Sequence, residues 1–256
     1  MTFRPALALG VAVLAASATT IASGAPARAS EPSWGSSSAP RVTNGTLAHV
    51  DAVELHAESL VFERDDRTVA VVSMRDARTT VDVLDRLLGT PARTHTAEGD
   101  GGACFPAGTT YTWGGAVRVA ALATPADLGN AVEIRVLRDD VRTRNGTTVE
   151  LSGPRGVQVG DDIAGRIAKT DRADRMSFGA GDEDEPSAWQ VLLQRGWDAT
   201  DGSSDDRRAD TTSDDPARTA AVRADEDGRN GVSALTDGTT VAVLGSPMPV
   251  NATRSC

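Results

Sequence analysis

The stretch VELHAESLVFERDDRTVAVVSMRDARTTVDVLDRLLGTP, residues 53–91, decides how this chain folds, because its hydrophobic period changes part-way along. Val53 and Leu55, then Leu60 and Phe62, alternate with polar residues, as half-buried strands do. The parity slips between the two pairs, so a bulge or break is expected near Ala57 to Ser59. Arg64-Asp65-Asp66-Arg67 reads as a polar turn, and Val69 to Val72 as the returning strand of a hairpin. The period then becomes helical. Asp76 can cap a helix that puts Val81, Leu84, Leu87 and Leu88 on one face, and Gly89 with Pro91 stops it.

Working outward, Tyr111 to Trp113, Val117 to Leu122, and the alternating Val132, Ile134 and Val136 read as further strands after a loop that carries Cys104. A polar stretch, Asp139 to Asn145, separates this half from the next. Thr148 to Leu151 alternates, Gly153-Pro154-Arg155-Gly156 turns, and Val157 and Val159 return. A short helix follows with Ile163 and Ile167 one turn apart, then a strand with Trp189, Val191 and Leu193 on one face. Gly231 to Leu235 and Thr239 to Leu244 flank Asp237-Gly238, a strong hairpin signal. The order hairpin, helix, strands thus occurs twice. The expected class is α+β, built as tandem helix-on-antiparallel-sheet units over residues 47–140 and 147–256.

The N-terminus is read separately. Arg4 supplies a positive charge, Ala6 to Ala16 is strongly apolar, and small residues lead to Ala27-Arg28-Ala29. That is the layout of a cleaved secretory signal peptide over residues 1–29. Ser and Thr interrupt the run too early for a spanning helix of about 20 apolar residues. No Cys stands near the cleavage point to carry a lipid, so no stable membrane anchor is expected after cleavage. Residues 30–46 are Pro/Ser/Gly-rich and read as a flexible leader.

The formal charge of the 256-residue chain is -10, and loss of Arg4 and Arg28 with the signal takes it to -12. That balance argues against nucleic acid, whose phosphates need a basic surface, and against anionic membranes. Residues 198–230 lose all periodicity and hold the runs Asp205-Asp206-Arg207-Arg208, Asp214-Asp215 and Asp225-Glu226-Asp227, so a disordered acidic insert is expected between two strands. Cys104 and Cys256 are the only cysteines, and an even count in an exported chain predicts a disulfide between them. Closing a loop of that length is worth about 5 kcal/mol in the loop-entropy picture.

The search for chemistry yields little. His49, His56 and His95 form neither His-x-x-x-His nor His-Glu-x-x-His, and no Gly-x-Ser-x-Gly is present. A Ser/His/Asp arrangement built by the fold alone stays open. Gly179-Ala180-Gly181 starts like a dinucleotide loop but runs into Asp182-Glu183-Asp184-Glu185, which repels phosphate. The acidic runs lack the ligand spacing of a calcium loop. No catalytic, metal or cofactor residue is therefore assigned. Gly101 to Gly115 gathers Cys104, Phe105, Tyr111 and Trp113 among glycines, which is either a recognition surface or a pinned corner packed on the sheet.

The Cys loop running into Tyr111-Thr112-Trp113-Gly114, the segment Gly156-Val157-Gln158-Val159-Gly160-Asp161-Asp162, and the ending from Gly231-Val232-Ser233 to Cys256 resemble uncharacterised secreted or lipid-anchored proteins of high-GC Gram-positive bacteria. The use of one lysine, Lys169, against 25 arginines fits such a source. In element order the chain also resembles β-lactamase-inhibitory proteins and outer-membrane assembly lipoproteins, a likeness of fold that carries no function. The expectation is a secreted, extracellular, non-catalytic binding module for a protein or cell-wall component. The alternative is a secreted hydrolase whose site the sequence does not spell out.

Overall fold

Residues 42–99, 106–179, 187–197 and 229–250 are described by the computed structural model. β1 (Ala52–Leu55) and β2 (Ser59–Arg64) run antiparallel, with Val53 opposite Phe62 and Leu55 opposite Leu60, and all four side chains are buried. The parity slip at residues 57–59 is thus a chain reversal between two strands. Asp65 and Asp66 both take left-handed backbone, with φ of 50° and 59°, as a two-residue hairpin turn of primed type requires. β3 (Arg67–Ser73) then pairs back on β2. Burying each such apolar side chain contributes about 1.5–3 kcal/mol.

The Asp76 carboxylate caps α2 (Ala77–Leu88), accepting from the Thr79 amide at 3.0 Å. The buried face is Thr80, Val83, Leu84 and Leu87, rotated from the expected one, with Val81 and Leu88 only partly buried. A threonine can hold a core position here because its hydroxyl donates to the carbonyls of Asp76 and Ser73, at 2.9 and 3.2 Å. A short helix that the sequence reading did not foresee, α1 (Asn44–Leu47), precedes β1, overlaps the end of the expected leader and buries Leu47.

The strands continue as β4 (Arg93–Ala97), β5 (Gly108–Trp113), β6 (Val117–Leu122), β7 (Val132–Val136), β8 (Asp140–Arg142) and β9 (Thr148–Ser152). After α3 (Ala164–Lys169) come β10 (Arg175–Phe178), β11 (Ala188–Arg195), β12 (Gly231–Asp237) and β13 (Thr240–Ser246). β4, β8 and β10 were not expected. β4 is wholly exposed and carries no apolar alternation, and β8 has three residues with only Val141 buried. Neither has a pattern for periodicity to detect. Between β12 and β13 the ladder pairs Asp237 with Thr240, so Gly238 and Thr239 form the turn, one residue on from the expected centre. Gly238 supplies a φ of 58° there.

Two sheets result. One has the order β3-β2-β1-β9-β8, the other β10-β11-β12-β13-β7-β6-β5-β4. The class is α+β with strands predominating. Two expectations are corrected. The sheets are not wholly antiparallel, because β1 and β9 pair parallel. Residues 47–140 and 147–256 do not form separate sheets: β9 closes on β1, β13 closes on β7, and the described residues belong to one compact unit, Pro40–Cys256. The cause is that each half leaves strand edges that the other half pairs. Leu55 and Leu60 of the first sheet, Leu84 and Leu87 of α2, and Val117 and Ile134 of the second line one interior void of about 10 Å³.

Within the described part of the Gly101 to Gly115 stretch, Trp113 is a packed residue. It is 1 % exposed, and its indole N–H donates to the Gly89 carbonyl at 2.9 Å and to Asp85 at 3.1 Å. Tyr111 stacks on it with ring centroids 5.9 Å apart. Trp113 fastens the sheet to the end of α2, with Tyr111 half-buried beside it. Residues 1–29, Cys104, Cys256, the Asp182–Glu185 run and all of the acidic insert except Arg229 and Asn230 lie outside the described residues.

Candidate functional site

Of the three histidines, His49 and His95 are exposed, and only His56 lies within ion-pair distance of a carboxylate among the described residues. It stands at the end of β1, where the chain turns toward β2. From there it lines a cleft of about 480 Å³ with Glu54, Pro154, Arg155, Asp174, Leu192, Leu193, Gln194 and Arg195. The cleft forms where the end of β1, the Pro154–Gly156 turn that follows β9, and β11 converge.

Three local features aim its side chains. The β11–β12 ladder shifts register between Leu192 and Gln194, and a shift of this kind redirects the next side chain. Gln194 consequently reaches across to the other sheet: its Oε1 accepts from the Ala57 amide at 2.9 Å, and its Nε2 stands 3.4 Å from His56 Nδ1. Arg155 is held in left-handed backbone, with φ 63° and ψ 32°, between buried Pro154 and Gly156. The Gly153 amide donates to Val157 O at 2.7 Å across that turn. Such a conformation costs an arginine on the order of 1 kcal/mol. Asp174 is clamped between Arg229, at 2.7 Å, and Arg195, at 2.9 and 3.1 Å.

The polar atoms fix one another's roles. Because Gln194 Oε1 is taken as an acceptor, its Nε2 is the atom that donates toward His56, and Nδ1 accepts. The proton of the neutral ring then sits on Nε2, facing Glu54 Oε1 at 3.4 Å. Both ring nitrogens are thus turned toward protein groups. Burial raises the Asp174 pKa, but the hydrogen bonds and charges of Arg229 and Arg195 outweigh it and hold the carboxyl below its ordinary value.

Next to the cleft stands a second polar cluster, at the base of the acidic insert. Trp197 is 1 % exposed and has a φ of 62°. Its amide donates to Glu58 Oε1 at 3.1 Å, and its indole N–H to Ser246 Oγ at 3.1 Å. Ser246 in turn donates to the Ala57 carbonyl at 2.5 Å. Arg75 lies 5.0 Å from the Trp197 ring centre and grips Glu58 through Nη2 at 2.9 Å. Burial pushes the Glu58 carboxyl up, yet Arg75 and the Trp197 amide bring it below its ordinary value. Every named polar atom has a partner inside the protein, so this cluster is a clasp joining the two sheets.

Sequence reading named His56 but assigned it no role, and it missed Glu54, Asp174, Gln194 and Arg195. These residues come from three separated segments, and Glu54 reads simply as the outward residue between Val53 and Leu55. Only the turn around Arg155 carried a local signal. No group of three or more His, Cys, Asp or Glu side chains among the described residues is placed to hold a metal ion. Comparison with protein-family models, with curated proteins and with solved structures finds no match.

Proposed function

We propose that this is an exported protein, acting outside the cytoplasm after residues 1–29 are removed, and that its body is a binding module whose ligand sits in the cleft between β1, β11 and the Pro154–Gly156 turn. The observation that supports binding over catalysis is the orientation of His56. A general base must offer a ring nitrogen to the proton it removes, whereas both nitrogens here face Glu54 and Gln194. The cleft lining carries charges of both signs, Glu54 and Asp174 with Arg155 and Arg195. A lining of mixed sign suits a polar ligand with carboxylate and amine groups, such as a protein segment or a peptide-bearing cell-wall component.

The hydrolase reading has one observation in its favour, the Glu54–His56 pair inside a cleft. One experiment separates the two. The secreted protein and its E54Q variant are used to capture material from the native culture supernatant, and both are assayed on chromogenic ester, peptide and glycoside substrates. The binding reading expects a partner retained by the wild type and lost by the variant, without turnover. Turnover that disappears in His56→Ala would overturn it.

We further infer a tandem origin for the architecture. β2–β3, α2 and β4 to β7 are followed in the same order by β8–β9, α3 and β10 to β13. The two four-stranded meanders meet antiparallel through their last strands, β7 and β13. The disulfide between Cys104 and Cys256 belongs to the same proposal of an exported protein.

A further inference from the structure

A second cleft, of about 380 Å³, opens beside α3 and is lined by Arg155, Gly165, Arg166, Lys169 and Thr170. Its lining holds three cations and no carboxylate, in a chain whose net charge is -10 and whose single lysine stands here. Among the described residues none of the three cations has an ion-pair partner. The neighbouring carboxylates are mostly committed elsewhere. Asp161 accepts from the Gln158 amide at 2.8 Å, Asp162 from the Ala164 amide at 2.9 Å, and Asp174 from Arg195 and Arg229. Asp171 is exposed and not part of the lining.

Arg166 and Lys169 fall three residues apart on one face of α3, so their charges lie side by side. Cations in a last turn ordinarily offset the helix dipole. A six-residue helix offers little dipole for two of them, and Arg155 lies outside the helix altogether. Burial, and then the charge of Arg155, lower the Arg166 pKa, so the two guanidinium groups stand close enough to repel. Arg155 is also the residue whose backbone is held in the left-handed region. Two strained or repelling features thus converge on one cleft.

We propose that this cleft binds a phosphoryl group through Arg155, Arg166 and Lys169. Two guanidinium forks from separate elements, Arg155 in the turn and Arg166 on α3, with the Lys169 ammonium group on the same face of α3, match a tetrahedral dianion with several acceptor oxygens. A planar carboxylate fills only one fork. Open space at Gly165, where an added Cβ would meet nothing within 4 Å, leaves room for the ligand. The same chemistry is offered by free phosphate and by a phosphate ester.

The test is calorimetric titration of the secreted protein at low ionic strength with inorganic phosphate, with glycerol phosphate and with acetate. Saturable binding of phosphate or its ester is expected, at least about tenfold weaker in R166Q/K169Q and in R155Q, and unchanged in E54Q. Circular dichroism checks that the variants are folded, and amide shifts at Gly165 and Thr170 give an independent readout. Tighter binding of the ester assigns the source as a phosphate ester, and tighter binding of the ion assigns it as free phosphate. No saturable binding, acetate binding as tight as phosphate, or equal affinity in R166Q/K169Q would overturn the proposal. Arg155 lines both clefts, so the two proposals are told apart by E54Q, which alters only the first, and by R166Q/K169Q, which alters only the second.

Discussion

Trp197 shows how single residues hold this molecule together. It accepts a backbone conformation that disfavours a bulky side chain, and in exchange its amide, indole N–H and ring face are each met by Glu58, Ser246 and Arg75. Trp197→Ala is expected to cost about 3–5 kcal/mol in a denaturant titration, the usual range for removing a buried Trp. Glu58 adds a pH dependence of definite sign. Its folded pKa lies below the ordinary 4.5, so its contribution is complete above that pH and is lost as the pH falls through the folded value. Asp174 acts in the same direction below its ordinary 3.8. Thermal melts between neutral and acid pH should therefore show E58Q less stable than wild type at pH 7 and less sensitive to acid. Parallel acid limbs in the two proteins would remove Glu58 from the clasp.

Elements with a strong period were legible in the sequence, and those held by neighbours were not. The β1–β2–β3 run, α2 with its Asp76 cap, and the β12–β13 hairpin all follow from alternation, capping and turn chemistry. β4 was invisible because Arg93, Thr94, His95, Thr96 and Ala97 are all exposed and owe their conformation to pairing with β5. The parallel closure of β1 on β9 has no local cause either. The cleft was illegible for the same reason: Glu54, Arg155, Asp174 and Gln194 meet only through that closure and through a register shift.

β5 starts and β13 ends at the same end of the eight-stranded sheet. Val250 bridges to Arg229 near the start of β12, four strand spacings from β5, or about 19 Å. The six residues after Val250 reach about 20 Å, and the four from Gly108 back to Cys104 about 13 Å. Peptide mapping of the secreted protein without reductant should recover a Cys104–Cys256 cross-link. Two free thiols would contradict it.

At the scale of the whole molecule, the two sheets, α2 and the clasp form one body from which the acidic insert departs and to which it returns at a single place. Arg195 pairs with Gly231, and the Gly196 amide donates to Asn230 O at 3.1 Å. Replacing residues 198–228 by a short Gly-containing turn should therefore preserve the fold. Shortening the loop should raise stability by about 1–2 kcal/mol in loop entropy, read as an unchanged or higher Tm. Loss of the cooperative transition would mean that the insert is part of the core. The central proposal is that the protein is exported and meets its ligand in the cleft between β1, β11 and the Pro154–Gly156 turn. Hydrogen exchange of the secreted protein, with and without the partner captured from its own culture supernatant, tests that most directly. Protection is expected in residues 54–57, 153–157 and 192–196. Protection confined to the outer face of β4 to β6, with these segments unchanged, would contradict it.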